Sequence, residues 1–177
     1  NECEQIEFLP FRRLIRSRVE AIMTAHLINK SLDPDLPATL SPKIINDILR
    51  AQLRFQKVVF SDDMEMKAIA DNYGAEESAV MAIQAGCDML IYRGDAGFPV
   101  AAYEALVKAV ESKKISKERI EISHQRILNL KRGYATQTRP LEMAQLEKMI
   151  GTPEHLALAE AIAKKEMPAF LDGSDEE

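Results

Sequence analysis

Short apolar runs alternate with stretches of helical periodicity along most of this chain. Three runs have the length and composition of buried strands: residues 21–26, 57–61 and 87–92. Around and between them, apolar residues recur three and four positions apart, which is typical of amphipathic helices. The pattern predicts the element order α-β-α-β-α-β-α-α.

Capping residues mark where two of these helices begin and end. Ser41 and Pro42 are a helix start signal. The helix that follows has one apolar stripe, formed by Ile44, Ile45, Ile48 and Leu49. Glu76 and Glu77 place acidic groups in the first turn of the next helix, and Gly86 is its predicted stop.

Strands that alternate with helices through short connections favour a parallel sheet with right-handed crossovers. Both an open sheet and a barrel satisfy this pattern. No Gly-x-Gly-x-x-Gly or Gly-x-x-x-x-Gly-Lys sequence is present, so the chain has no recognisable nucleotide-phosphate loop. Three strands are too few to close a barrel, so a barrel protein would contribute only a portion here.

Composition and charge exclude several classes of partner and of site. The 28 acidic and 23 basic side chains give a net charge of −5, and the basic residues are scattered, so nucleic acid is not expected as a partner. No apolar run approaches the roughly 20 residues that span a bilayer. Only Cys3 and Cys87 are present, which favours reduced thiols and predicts a cytoplasmic location. No set of His, Asp or Glu residues has metal-ligand spacing, so a metal is not expected.

Polar side chains follow two of the predicted strands. Asp62 and Asp63 come where the second strand should end, and His26 ends the first. Active sites of parallel α/β proteins lie at the carboxyl ends of the strands. On a regular strand, neighbouring side chains point to opposite faces, so only one aspartate is expected to face a given substrate atom. The structural alternative for the pair is a helix cap or a turn.

Several segments in order resemble the N-terminal domain of glycoside hydrolase family three, in its bacterial β-N-acetylhexosaminidase branch. The Ser61-Asp62-Asp63-Met64-Glu65-Met66 block is the most specific of them, together with the loop of residues 32–41. The other matching segments are Leu9-Pro10-Phe11, Met23-Thr24-Ala25-His26, Ala85-Gly86-Cys87-Asp88-Met89 and Gly151-Thr152-Pro153-Glu154-His155. The resemblance runs from about residue 8 to residue 165.

This resemblance implies a (β/α)8 barrel that removes terminal N-acetylhexosamine residues from a glycan with retention of configuration. The fold class expected for this chain is therefore α/β, the C-terminal part of a TIM-type barrel. The family's nucleophile is an aspartate at a strand end, and the matching position is Asp62. Asp63 is expected to accept backbone hydrogen bonds. The family implies no cofactor.

Other assignments are less direct. His26 and Met66 are predicted to bind substrate, with hydrogen-bonded packing as the alternative for His26 and plain packing for Met66. His124 and His155 are expected to be surface or capping residues. The predicted divisions are the barrel portion at 1–134, a helical extension at 135–168 and a disordered acidic tail at 169–177.

The resemblance implies an acid/base histidine in an Asp-x-His arrangement, on a loop after a Lys-His-Phe-Pro-Gly-His-Gly type of segment, and no such segment is present in this sequence. The chain is therefore expected to represent a C-terminal piece of the domain. The pattern leaves a second function open, namely a non-catalytic α/β binding module. The natural glycan, whether a cell-wall muropeptide or a chitin oligomer, is also left open.

Overall fold

Three parallel strands form the sheet of this protein. The computed structural model describes residues 3–94, 96–134 and 142–166. Strands β1 (Ala21–Met23), β2 (Val58–Asp63) and β3 (Met89–Ile91) lie in the order β1-β2-β3. Because β2 pairs in parallel with both neighbours, the predicted α/β class with a parallel sheet is confirmed.

Helices precede, separate and follow the strands in the predicted order. The α-helices of this part of the chain are α1 (Phe8–Arg16), α2 (Lys67–Ala70), α3 (Ala75–Ala85), α4 (Gly97–Glu111) and α5 (Lys117–Tyr134). A π-helical turn, Cys3–Glu7, leads into α1, and a short 3-10 helix, Ala38–Leu40, lies in the loop after β1. As predicted, α3 has Glu76 and Glu77 in its first turn and ends at Gly86, whose φ of 121° suits a residue without Cβ.

The helix between β1 and β2 differs from its predicted form. It spans Lys43–Gln52 and is a π-helix, and the Leu53 N–H donates to the carbonyl of Ile48 at 2.8 Å. Its apolar stripe is nevertheless the predicted one, with Ile45 and Leu49 buried. The Ser41 hydroxyl accepts the N–H of Ile44 at 3.2 Å, which is the role expected of a capping serine.

The main core lies between the sheet and the helices that connect its strands. Its buried members are Leu40, Ile45, Leu49, Phe55, Val59, Met64, Ile69, Ala82, Ala85 and Cys87. A smaller cluster joins α3 to α4 through Val80, Ile83, Ala109 and Ile115. The middle strand is therefore buried along its apolar half, and its polar end emerges at the carboxyl edge of the sheet.

A β-bulge interrupts the pairing of β2 with β3. Phe60 pairs with Met89 and Asp63 pairs with Ile91, so β2 advances three residues while β3 advances two. The Ile91 N–H donates to the Ser61 hydroxyl at 2.9 Å instead of to a strand carbonyl. Bulges concentrate at barrel rims and next to active sites, where they re-aim side chains. Asp62 lies within this one.

A buried carboxylate with three arginines lies at the opposite, amino-terminal edge of the sheet. Asp88 immediately precedes β3, and its side chain has no exposed surface. It forms ion pairs with Arg50 at 2.6 Å, Arg126 at 3.1 Å and Arg119 at 3.4 Å. Its oxygens also accept the Ser123 hydroxyl at 2.5 Å and the Val59 N–H at 2.9 Å.

The arginines extend this network to the backbone. Arg50 donates to the carbonyls of Lys57, at 2.5 Å, and Gly86, at 3.2 Å. Arg119 donates to the carbonyl of Cys87 at 2.6 Å. Asp88 therefore joins the starts of β2 and β3 to the π-helix and α5.

A second buried carboxylate holds the loop after β1. Asp33 is 2% exposed, accepts the Ser41 hydroxyl at 2.6 Å, and accepts the N–H groups of Asp35 and Leu36 at 3.1 and 3.3 Å. These bonds, led by the one from Ser41, hold its pKa below the ordinary value although burial opposes ionisation. The hydrogen bonds of Asp33 therefore fix the conformation of the loop after β1.

Stability is expected to fall in acid because of these two carboxylates. Burial disfavours the charged form of Asp88, but Ser123, Val59 and the guanidinium groups outweigh it and lower the pKa. A lowered pKa contributes stability that is complete above the unfolded-state value, about 3.9, and is lost as pH falls through the folded-state value. Urea unfolding at successive pH values should show the decline below about pH 4. An equally steep decline in Asp88→Asn would contradict the assignment to Asp88.

The chain divides into two compact units, Asn1–Thr136 and Gln137–Glu177. The described part of the second unit contains α6 (Met143–Met149) and α7 (Pro153–Lys164). The Thr152 hydroxyl caps α7 by accepting the N–H of His155 at 3.2 Å. Both helices fall in the predicted extension at 135–168, whereas the predicted acidic tail at 169–177 lies outside the described residues.

Candidate active site

The two aspartates end β2, and each carboxylate accepts a local backbone hydrogen bond. Asp62 Oδ1 accepts the N–H of Asp63 at 2.8 Å, and Asp63 Oδ1 accepts the N–H of Glu65 at 3.1 Å. Both side chains are partly buried. On a regular strand, Asp62 and Asp63 would point to opposite faces of the sheet. The bulge at this point breaks that regular alternation. Their different contacts distinguish them instead.

Asp63 is the more heavily bonded of the two. Its Oδ2 lies 3.6 Å from Arg93 Nε, an ion pair between a side chain that is 14% exposed and one that is 88% exposed. Its backbone carbonyl accepts both the Nε2–H of His26 at 2.9 Å and the N–H of Met66 at 3.0 Å. These contacts hold the backbone next to Asp62.

His26 is 9% exposed, and both its ring nitrogens lie within hydrogen-bond distance of protein atoms. Nδ1 lies 2.9 Å from the hydroxyl of Thr39, and Nε2 reaches the Asp63 carbonyl. The Thr39 hydroxyl is also 2.8 Å from that of Thr24 and 3.2 Å from the carbonyl of Ala25. The structure therefore places His26 in a hydrogen-bonded network, and its predicted contact with substrate stays a prediction.

Met66 precedes α2 with extended backbone angles and has 44% of its surface exposed. Met64 is buried in the main core, with 3% exposed. Of the two methionines in the motif, Met64 is therefore a packing residue. Met66 presents an apolar side chain at the carboxyl edge, as the predicted substrate contact requires, and that contact stays a prediction.

The loops after β2 and β3 are joined next to the aspartates. The Gly94 N–H donates to Glu65 Oε1 at 3.2 Å. Tyr92 lies in the same region, and burial together with the charge of Glu65 raises its pKa to about 12. Its buried hydroxyl has no hydrogen-bond partner among the described residues. This phenol is therefore neutral at physiological pH and is not a candidate base.

Sequence reasoning missed three residues of this edge. Thr39 belongs to the loop that carried the family resemblance, but nothing in the sequence indicated that it contacts His26. Ser61 was part of the quoted motif, and its bond to β3 depends on a bulge that the sequence does not mark. Arg93 follows β3, so the strand-end rule that selected Asp62 would also have selected it.

The described residues, 3–94, 96–134 and 142–166, contain neither a cluster of metal ligands nor a membrane-spanning helix. Within them, no three His, Cys, Asp or Glu side chains are grouped so as to hold a metal ion. None of the helices in the same ranges has both the length and the apolar composition that crossing a bilayer requires.

Comparison with known proteins assigns the family. The family described as "Glycosyl hydrolase family 3 N terminal domain" matches residues 1–130. The chain belongs to this family. The glycosyl hydrolase family 3 match covers the sheet, helices α1 to α4, most of α5 and all the site residues described above.

Curated relatives of this chain are named β-hexosaminidases. A β-hexosaminidase of Alkalilimnicola ehrlichii is 43% identical over 88 residues, which are 50% of this chain and 25% of the relative. One from Hydrogenovibrio crunogenus is 35% identical over 129 residues, covering 73% of this chain and 33% of the relative. The chain therefore spans between a quarter and a third of these curated relatives.

Solved structures of family 3 proteins share the fold. A glycoside hydrolase family 3 β-N-acetylglucosaminidase from Paenibacillus sp. is 38% identical with a TM-score of 0.79, over 92% of this chain and 31% of that protein. The β-N-acetylglucosaminidase from Thermotoga maritima is 39% identical with a TM-score of 0.64. The match covers 70% of this chain and 27% of that protein. The chain thus matches less than a third of each of these two solved structures.

Proposed function

We propose that this chain carries the nucleophile of a retaining β-N-acetylhexosaminidase, and that the nucleophile is Asp62. The observation that carries the proposal is the position of Asp62, in a bulge at the carboxyl end of the middle strand of a family 3 domain. Its Oδ1 accepts one local N–H at 2.8 Å. Unlike Asp63, it has no cationic partner among the ion pairs of the described residues.

The chemistry assigned to Asp62 is attack on the anomeric carbon of a terminal N-acetylhexosamine residue. The bond between that carbon and the leaving oxygen breaks, and the leaving group takes the electron pair. A bond from the carboxylate oxygen to the anomeric carbon replaces it, which gives a glycosyl ester that water then hydrolyses. The net configuration is retained because each step inverts it.

The remaining roles follow from the same assignment. We assign no proton donor within this chain and place it in the part of the relatives that the chain does not span. Met66 is proposed to contact the sugar, because it is exposed beside the aspartates. The partner is a glycan with terminal N-acetylhexosamine, the whole domain is a (β/α)8 barrel, and the proposed location is the cytoplasm. Catalysis by this route uses no cofactor.

Support for the activity comes from relatives whose names describe hexosaminidases and N-acetylglucosaminidases. Support for the residue comes from the carboxyl edge of the sheet, where parallel α/β enzymes place catalytic side chains. The competing proposal, a non-catalytic binding module, predicts no covalent chemistry at Asp62.

The test is mass spectrometry after incubation of the chain with a fluorinated N-acetylglucosamine-type donor that carries an activated leaving group. Such a donor needs no proton for departure, so it reports the nucleophile alone. A chimera that places the upstream part of the Paenibacillus enzyme before this chain is treated in parallel. A single glycosyl addition on the Asp62 peptide, in either protein, supports the proposal. Addition to another residue, or none in both, contradicts it.

A further inference from the structure

We propose that His26 is a positioning residue for Asp62, holding the bulged end of β2 through its backbone. This inference rests on the proposed function of Asp62 as nucleophile. Its basis is the bond from His26 Nε2 to the carbonyl of Asp63, 2.9 Å long and directly adjacent to the nucleophile in sequence. His26 follows β1, so the bond joins the ends of two neighbouring strands.

The bulge explains why such a bond is needed. The last backbone bond between β1 and β2 runs from the Thr24 N–H to the carbonyl of Phe60 at 2.9 Å. Asp62 lies two residues beyond Phe60, where β2 has also left its regular pairing with β3. Two side chains replace the missing backbone bonds. Ser61 accepts from Ile91 on one side, and His26 donates to Asp63 on the other.

The carbonyl that faces Nε2 determines which tautomer His26 adopts. A carbonyl oxygen only accepts, so Nε2 carries the proton that faces Asp63. When the ring carries only this proton, Nδ1 can only accept, so the single hydroxyl proton of Thr39 goes to Nδ1 at 2.9 Å rather than to the Ala25 carbonyl at 3.2 Å. The Thr39 oxygen in turn accepts the hydroxyl of Thr24 at 2.8 Å. One oriented series of bonds therefore runs from Thr24 to the Asp63 carbonyl.

Burial distinguishes this role from substrate contact. The His26 side chain is almost wholly enclosed, and Thr39, which holds its other nitrogen, is completely buried. Both nitrogens are engaged by the protein. A ring held in this way has no nitrogen to offer a sugar hydroxyl, but it restricts the backbone that carries Asp62. Small displacements of a reacting group cost about 10²-fold in rate.

The chain offers a matched pair of substitutions at this position. In glutamine, the side-chain nitrogen is the same number of bonds from Cα as Nε2 of histidine. In asparagine, it corresponds to Nδ1. His26→Gln therefore keeps a donor for the Asp63 carbonyl, whereas His26→Asn keeps only the group near Thr39. His124→Gln, on the exposed surface of α5, controls for loss of an imidazole.

The first measurement is independent of activity. Long-range ¹H–¹⁵N correlation of the imidazoles in the 177-residue chain should show His26 as the Nε2–H tautomer, with resonances assigned by loss in His26→Gln. Amide hydrogen exchange should show protected N–H groups at Met64 and Ile91, with protection lost in His26→Asn and kept in His26→Gln. An Nδ1–H tautomer, or equal exchange in both variants, would overturn the proposal.

The second measurement is the rate of adduct formation on Asp62 with the activated donor. We expect His26→Asn to lower the rate constant about 10²-fold while donor affinity stays unchanged, and His26→Gln to remain within about threefold of the parent. Equal rates in all three proteins, or a change in donor affinity alone, would overturn the positioning role. If neither the chain nor the chimera is labelled on Asp62 but the exchange pattern holds, the proposed function fails and the structural bridge stands.

Discussion

Replacing Asp62 by Asn is expected to reduce the rate of glycosyl-adduct formation by at least about 10³-fold, because the amide has no charge with which to attack the anomeric carbon. The fold should not suffer. Asparagine keeps a carbonyl oxygen in place of Oδ1, which accepts the Asp63 N–H at 2.8 Å in the parent protein. The measurement is the rate of mass gain with the activated donor, with thermal unfolding recorded alongside.

Asp63→Asn is the matched control for this substitution. It removes the same charge one residue along, while the amide oxygen still accepts the Glu65 N–H. Loss of the ion pair with Arg93, whose side chain is 88% exposed, should matter little. We expect a reduction of less than about 10-fold, because the backbone contacts of Asp63 remain. A larger loss in Asp63→Asn than in Asp62→Asn would reverse the assignment of the nucleophile.

Replacing Asp88 by Asn should destabilise the protein by about 3–5 kcal/mol, the usual result of removing one partner from a buried ion pair. The cost arises because Arg50, Arg119 and Arg126 then share a partly buried site without a counter-charge. Urea unfolding at neutral pH, where the parent carboxylate is ionised, measures the difference in free energy of unfolding.

Asp71→Asn supplies the comparison, since Asp71 is exposed and lies just after α2. Its substitution is expected to change stability by no more than about 0.5 kcal/mol. A similarly small change in Asp88→Asn would mean that water solvates the three guanidinium groups when the carboxylate is removed, which would contradict the prediction. The midpoint and the slope of unfolding should both be compared, because a changed slope indicates a changed unfolded state.

Much of the architecture follows from local sequence signals. The apolar run at 57–61 predicted a buried strand, and β2 spans Val58–Asp63. Glu76, Glu77 and Gly86 marked the ends of α3 because charge and backbone conformation act locally at helix termini. These features depend on residues close together in the chain, so the sequence contains the information that determines them.

Features that depend on distant contacts were not predicted. The bulge results from the register between β2 and β3, which lie 29 to 28 positions apart at Phe60–Met89 and Asp63–Ile91. Asp88 appeared in the sequence only as part of a resemblance, because its three arginines come from the π-helix and α5. The network that holds His26 likewise joins Thr39 to Asp63 across separate loops.

The π-helical form of Lys43–Gln52 was also not predicted. Its apolar residues lie three and four positions apart, which the sequence alone associates with an α-helix. Side-chain periodicity locates the buried face but does not separate two helical forms whose apolar stripes overlap.

Asp62 and Asp88 lie at opposite edges of the sheet and have different roles. Asp62 and the loops around it lie at the carboxyl edge, while Asp88 and its arginines hold the amino edge. If Asp62 acts as proposed, random libraries confined to the loop positions beside it should yield many variants with altered reactivity toward the glycosyl donor and ordinary melting temperatures. Libraries at the opposite edge should yield mostly protein that is lost to proteolysis during expression. Substitutions that leave the fold intact are therefore expected mainly at the carboxyl edge of the sheet.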